Sequence, residues 1–407
     1  MVNRISSTIG VRLNESKTMA STFQEKMMFL TLESSRAGRC VPTRRGSPIG
    51  VFWLCGWVLS CGSLMAEELR LNQIQTIGSH NSYHIAPPPG ILALIRVARP
   101  EAADALDYSH PPIVEQLGRQ RLRQLEFDLY ADPDGGLYAN PIGHASLPQN
   151  AATAASHPNA TGIMDKPGMK VMHSPEFDYL STVPTFVAAL TEIRTWSQQH
   201  PSHIPILILV ELKDSVVGPV LVKPRAFDAE LLNAVDAEIR SVFADDAMIL
   251  PDRIRGRFPT LRESIQTQGW PKLDDCRGRV WFALDNEDAT MRQYLDGHPS
   301  LENRVMFVSV SADHPAAAFR KINDPVANFR EIQSAVHSGA IVRTRADAET
   351  RQARNNDTTR RDRALQSGAQ YISTDYPDAD TRLSDYQVQL PGRTEYRANH
   401  VNAVSQD

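Results

Sequence analysis

Residues 204–214 read Ile-Pro-Ile-Leu-Ile-Leu-Val-Glu-Leu-Lys-Asp. An apolar run of this length, rich in branched residues and ending abruptly in charge, is the pattern of a strand covered on both faces, as strands of parallel sheets are. Seven further short segments share its character: Gln73–Ser79, Leu122–Leu129, Lys170–His173, Arg279–Leu284, Arg304–Ser311, Ala340–Arg345 and Gln370–Thr374. Helix-period stretches separate most of them, among them Ser181–Gln199, Ala226–Phe243, Val326–His337 and Thr358–Ser367. Alternating strand and helix predict a parallel sheet, and eight units predict closure into a (β/α)8 barrel rather than an open doubly wound sheet. Chemistry is then expected at the C-terminal ends of the strands. Residues 130–169 exceed a normal crossover and are rich in Pro, Gly, Asn and Ala, which predicts a loop or insertion at the barrel mouth.

The chain has 407 residues, 42% of them hydrophobic and 22% charged, enough for a sizeable core. Lys+Arg number 43 against 47 Asp+Glu, a balance that argues against a nucleic-acid-coating protein. Four cysteines in this length exclude a disulfide scaffold. A mean hydropathy of -0.33 excludes a polytopic membrane protein. No obligatory protein partner is expected.

The first 66 residues carry eight basic and three acidic side chains, whereas the remainder carries 35 and 44. Within them, Arg44 and Arg45 precede an apolar stretch from Ile49 to Leu59, and Leu64-Met65-Ala66 precedes Glu67 and Glu68. Basic, apolar and small, in that order, is the pattern of an export signal over about 44–66, cleaved after Ala66. The expected organisation is an N-terminal extension and signal (1–66), a catalytic barrel (67–383) and a polar tail (384–407), in a secreted or periplasmic protein. A lipid anchor at Cys61, in Val58-Leu59-Ser60-Cys61, and a buried helix are the alternatives.

Six strand ends carry reactive side chains. Gly78-Ser79-His80-Asn81 places a candidate base and an amide oxygen at the first, with Gly78 permitting close backbone approach. In Leu125-Glu126-Phe127-Asp128-Leu129 the two-residue period puts Glu126 and Asp128 on one face. Two carboxylates so placed repel each other unless a cation or arginines intervene. Met172-His173 ends another strand, and two histidines at one mouth suit general base and general acid. Glu211 and Lys213 share a face: Glu211 could complete an oxygen-rich metal site, and Lys213 could meet a phosphate or pair with the cluster. Arg343 and Arg345 share the face of a later strand, to bind phosphate or inositol oxygens or to serve structure. Asp375 could orient a histidine or, with Tyr376 beside it, contact substrate. A cation site made only of oxygens favours calcium or magnesium over zinc. Gly-x-Ser-x-Gly, His-Glu-x-x-His and Cys-x-x-Cys are absent.

The stretches LNQIQTIGSHNSYH, RQLEFDLY, MKVMHS, IPILILVELKD and IVRTRADAETRQARNNDTTRRDRALQSGAQYISTDYP, spread over Leu71–Pro377, resemble the catalytic X-domain of phosphoinositide-specific phospholipase C, in its bacterial calcium-dependent branch. The resemblance implies a distorted barrel in which the residue matching His80 deprotonates the inositol 2-hydroxyl and that matching His173 protonates the departing diacylglycerol oxygen. It implies Ca2+ held by Asn81, Glu126, Asp128 and Glu211. Lys213, Arg343, Arg345, Asp375 and Tyr376 are the candidate substrate contacts read from the residues themselves. The expected function is cleavage of phosphatidylinositol, at a membrane surface, to diacylglycerol and inositol (cyclic) phosphate. A glycerophosphodiesterase or sphingomyelinase-D-like enzyme, and a non-catalytic lipid- or sugar-binding barrel, are the alternatives.

Overall fold

The computed structural model describes residues 68–147, 157–215 and 222–403. The expected export signal and Cys61 lie outside the described residues. Ten strands are present among them: β1 (Ile74–Ser79), β2 (Gln124–Asp132), β3 (Gly168–Val171), β4 (Ile206–Leu212), β5 (Val280–Leu284), β6 (Met306–Val308), β7 (Phe319–Lys321), β8 (Ile341–Arg345), β9 (Tyr371–Thr374) and β10 (Arg397–Ala398). They form two five-stranded sheets, ordered β10-β1-β9-β8-β7 and β3-β2-β4-β5-β6.

Every pairing among the eight strands left when β3 and β10 are set aside is parallel. The two sheets also meet at both seams. Between β1 and β2, Arg123 N donates to Ile77 O and Ser82 N to Glu126 O, each at 2.9 Å. Between β6 and β7, Ser309 bridges Phe319 in parallel. The result is a distorted (β/α)8 barrel. Gly78 makes the first seam possible, because a Cβ there would fall 2.4 Å from Gln124 Cβ.

The helices that matter for the site are α1 (Pro89–Ala98), α2 (Pro100–Ala105), α3 (Ile113–Gly118), α4 (Ile142–Ala145), α5 (Phe186–Gln199) and α6 (Ala229–Val242). α5 starts where Thr185 accepts a hydrogen bond from Ala188 N, and it buries Phe186, Ala189, Leu190, Ile193 and Trp196 along one stripe. In α6, capped by Asp228, Leu232, Val235, Ile239 and Val242 do the same. Each buried Leu, Ile, Val or Phe among them contributes roughly 1.5–3 kcal/mol by leaving water. Inside the barrel Trp281 of β5 meets Tyr371 of β9 across the lumen, with ring centroids 5.6 Å apart, and Phe307 and Phe319 pack on the same indole. An aromatic plug therefore fills the floor and leaves the charged groups to the mouth.

Three expectations change. Lys170–His173 is no barrel stave, since β3 pairs antiparallel with β2. β2 runs past the mouth, and β3 returns along it, which brings His173 back down to the rim. The missing stave is β7, Phe-Arg-Lys, three residues and too short to show a period. Residues 384–400, expected as a polar tail, pack onto the barrel. Tyr386, Val388 and Leu390 are buried with Ile77 and Ile372, β10 pairs with β1, and Glu395 holds the buried Arg123 at 2.8 Å. Among the described residues no helix is long and apolar enough to cross a membrane.

Candidate active site and metal centre

Glu126 and Asp128 project from β2 with the same parity, and Glu211 sits directly beside Asp128 in the parallel register with β4. One carboxylate oxygen from each lies within 4.8 Å of the others. Glu126 and Asp128 are buried and Glu211 is partly open to the mouth. Lys213 Nζ stands 3.2 Å from Asp128 and 2.8 Å from Glu211 as an ion pair. On the other side Arg343 pairs with Glu126. Burial pushes the Glu126 carboxyl up against the pull of Arg343, with Asp285 and Asp128 adding to the rise. Burial and Asp128 raise Glu211 likewise. Burial works against the Lys213 charge, but Asp128 and Glu211 outweigh it and hold the ammonium well above its usual range.

Asn81 follows β1 in the left-handed region, φ +44°, a conformation Asn tolerates. Its Nδ2 donates to Tyr108 Oη at 3.4 Å, while its buried Oδ1 has no hydrogen-bond partner. Three convergent carboxylates and a buried amide oxygen without a hydrogen-bond partner form an all-oxygen donor set, which fits a hard divalent cation.

His80 Nδ1 lies 2.7 Å from Asp375 Oδ1, across 295 residues of sequence. Donation there leaves Nε2 with its lone pair, 3.6 Å from Glu126 Oε1. Arg345 Nη2 stands 3.3 Å from the same Nδ1 and 3.5 Å from Asp375. Burial and the Arg345 charge outweigh Asp375 and push the His80 imidazole down to about 3. His110 fixes the backbone, its Nε2 meeting His80 O at 2.8 Å.

His173 is built differently. Its Nδ1 lies 2.8 Å from Asp178, five residues on. Asp178 is buried and also meets His84 Nε2 at 3.0 Å, while His84 Nδ1 meets Tyr108 O at 3.0 Å. Burial opposes a charge on His173, but the hydrogen bond and charge of Asp178, with Asp128 behind, hold it above the ordinary histidine value. Burial opposes ionisation of Asp178 too, yet His84 and His173 bring it well below the usual carboxylate range.

The structure thus gathers His80, Asn81, Glu126, Asp128, His173, Glu211, Lys213, Arg343, Arg345 and Asp375 at one mouth, but not all in the expected posture. Arg343 is 1% exposed and spent on Glu126 and Asn323, so it is not a free phosphate contact. Tyr376 is corrected as a substrate contact: it is 2% exposed and packs with Ile372 and Tyr386, because it leaves the strand on the side opposite Asp375. Lys213 takes the ion-pairing option. Sequence reading missed Asp178, His84 and the Asp285–Lys321 pair at 2.8 Å. The only available signals were a carboxylate five residues after His173 and a second histidine four after His80. A cavity of about 740 Å³ lined by Arg121, Arg123, Trp196 and His200 lies at the opposite, N-terminal ends of the strands and holds none of these groups. The convergence of charge, not cavity size, identifies the site.

Among solved structures, the chain is similar to a calcium-dependent phosphoinositol-specific phospholipase C from a Gram-negative Pseudomonas species, at 15% identity and a TM-score of 0.47, over 82% of this chain and 96% of that one. It is similar to a Ca2+-dependent phosphatidylinositol-specific phospholipase C from Streptomyces antibioticus at 19% identity and a TM-score of 0.44, over 75% and 94%. No curated protein matches the chain. The model of one family, "Phosphoinositide phospholipase C, Ca2+-dependent", matches residues 69–400 and so takes in the barrel, both histidines and the acidic cluster. By that match the chain belongs to the calcium-dependent phosphoinositide phospholipase C family.

Proposed function

We propose that the protein is a calcium-dependent phospholipase C that cleaves phosphatidylinositol to diacylglycerol and an inositol cyclic phosphate. The observation that carries this reading is the pairing of two histidines with two buried aspartates around a carboxylate triad. His80, low in basicity and neutral at working pH, is the general base for the inositol 2-hydroxyl through Nε2. Asp375 holds its ring by Nδ1, and Arg345 lies where it can also meet a phosphoryl oxygen. The resulting alkoxide attacks phosphorus, the new P–O bond closes the five-membered cyclic diester, and the P–O bond to diacylglycerol breaks. His173, favoured as the protonated form by Asp178, gives that leaving oxygen its proton.

Asn81, Glu126, Asp128 and Glu211 would hold Ca2+, which when bound lowers the hydroxyl pKa and stabilises charge on the phosphoryl oxygens. Purified protein incubated with phosphatidylinositol, with calcium or with EDTA, and followed by phosphorus NMR tests the reading. Calcium-dependent inositol 1,2-cyclic phosphate is expected. Phosphatidic acid as the product, or turnover confined to lipids lacking an inositol hydroxyl, would overturn it.

A further inference from the structure

Asp347 stands two residues beyond β8, where the strand has just placed Arg345 at the mouth. It is fully buried. Arg343 and Arg345 of that strand pair with Glu126 and Asp375, and neutral donors hold Asp347 instead. Its Oδ1 accepts from Asp375 N at 2.9 Å. Its Oδ2 accepts from Thr374 Oγ1 and, at 3.2 Å, from Tyr386 Oη. Burial and the charge of Asp375 push the Asp347 carboxyl up to about 6, against the hydrogen bonds from Asp375 and Thr374 and the pull of Arg345. A carboxylate buried beside another carboxylate, with neutral partners only, is costly in a turn that an amide would also serve. Departures of that kind gather where function, not stability, sets the choice.

What Asp347 holds gives it its meaning. Thr374 ends β9 and Asp375 follows it. Thr374 O accepts His80 N at 3.1 Å, and Asp375 Oδ1 meets His80 Nδ1 at 2.7 Å. The Asp347 carboxylate, bonded to Thr374 and to Asp375 N, therefore fixes the backbone from which that pair springs. Asp347 also acts through its main chain. Its carbonyl accepts Arg345 Nε at 3.1 Å. That bond sets the plane of the guanidinium, whose Nη2 then lies 3.3 Å from His80 Nδ1 and 3.5 Å from Asp375 Oδ2. One residue thus sets both neighbours of the His80 ring, the carboxylate and the guanidinium. Tyr386, from the segment that folds back over the barrel, closes the outer side, with its hydroxyl also reaching Ala346 O at 3.0 Å. Fully buried, Asp347 has no surface to offer a substrate.

We propose that Asp347 is a positioning residue for the base half of the site, locking the Asp375 carboxylate and the Arg345 guanidinium in place against His80 Nδ1. The proposal rests on the lipase reading for its purpose, but the geometry is measurable apart from turnover. An imidazole proton in a short hydrogen bond to a buried carboxylate gives a far-downfield proton NMR signal. The full chain is expected to show one for His80 and one for His173, assigned by their disappearance in His80→Ala and His173→Ala. Asp347→Ala is expected to move or erase the His80 signal and keep the His173 signal. It is expected to lower kcat on phosphatidylinositol about 10–100-fold, with KM changed less than about twofold. In Asp347→Asn the amide oxygen still faces Asp375 N, and the Thr374 and Tyr386 hydroxyls can accept from the amide nitrogen. That variant is expected to keep the His80 signal and to stay within about threefold of wild type in kcat. If Asp347→Ala does not fold, Thr374→Val replaces it, since it takes one donor from Asp347 and leaves the others; a loss of about three- to tenfold and a shifted His80 signal are then expected. A His80 signal and kcat unmoved by Asp347→Ala, or by Thr374→Val in its place, would overturn the proposal. So would loss of both histidine signals together, the mark of a merely structural residue, and so would an Asp347→Asn variant no better than Asp347→Ala. A wild-type chain that does not turn over phosphatidylinositol, but in which Asp347→Ala moves the His80 signal alone, would sink the lipase reading and leave the positioning role standing.

Discussion

His80 and His173 are each held through Nδ1 by a buried aspartate, at 2.7 and 2.8 Å, yet they are biased in opposite directions. The partner carboxylates are alike; their company differs. Arg345 stands against the His80–Asp375 pair and, together with burial, cancels the aspartate. Asp178 is shared with another histidine, and no arginine ion pair to it is present among the described residues, so its charge reaches His173 undiminished. A hydrogen bond to a carboxylate therefore does not by itself set a histidine's basicity; burial and the next charge out weigh against it. The two pairs also differ in reach. Asp375 meets His80 only when β9 closes on β1, whereas Asp178 lies within one loop of His173.

The sharpest break in this comparison is His80→Ala. It is expected to lower the rate of cyclisation by about 10³–10⁴-fold, the range for loss of a general base, with calcium binding by calorimetry retained. A smaller loss would show that Asp375 or solvent takes the proton directly. His173→Ala is expected to cost about 10²–10³-fold on phosphatidylinositol but under about tenfold on an inositol phosphodiester with an acidic leaving alcohol, which needs little protonation. Equal losses on both substrates would remove His173 from the general-acid role.

Asp178→Asn is expected to cost about 10–100-fold in kcat at alkaline pH, less than loss of the acid itself. With the carboxylate gone, the His173 value falls, so the basic limb of the pH–rate profile moves to lower pH. A profile that keeps its limb would break the proposed link between Asp178 and His173. The same variant has a stability signature. A carboxylate held below its usual value stabilises the fold above about pH 4, and a histidine held above its usual value does so below about pH 6.5. Loss of melting temperature should thus be greatest between these limits, corresponding to about 1–3 kcal/mol.

Lys213 is to the acid half what Arg345 is to the base half, a cation set against carboxylates. It faces the same Asp128 and Glu211 that would hold calcium, so it opposes the metal. Lys213→Met is expected to tighten calcium about tenfold by calorimetry, the fold-change for roughly 1.4 kcal/mol, and to lower the melting temperature in EDTA, where the carboxylates lose their only local ammonium among the described residues. Unchanged affinity would show that Lys213 and the metal coexist.

Much of the architecture is written locally. Continuous apolar runs such as residues 204–210 announce buried parallel strands, and the charged residues that end them announce the mouth. His80, Asn81, Glu126, Asp128 and Glu211 were legible for that reason: a two-residue period and an abrupt end to an apolar run state both position and facing. The three-residue stave Phe319–Lys321 was not, because nothing in Phe-Arg-Lys distinguishes it from a loop until β6 and β8 flank it. The facing of Tyr376 depended on where β9 ended its alternation. Arg343, Lys213 and Arg345 take partners up to 265 residues away. Backbone state follows from neighbours in sequence, through sterics and the burial period, so the sequence determined the barrel and the acidic mouth. Which cation meets which carboxylate, and hence what surrounds the His80 imidazole, depends on distances of a few ångströms across strands that only closure of the barrel brings together.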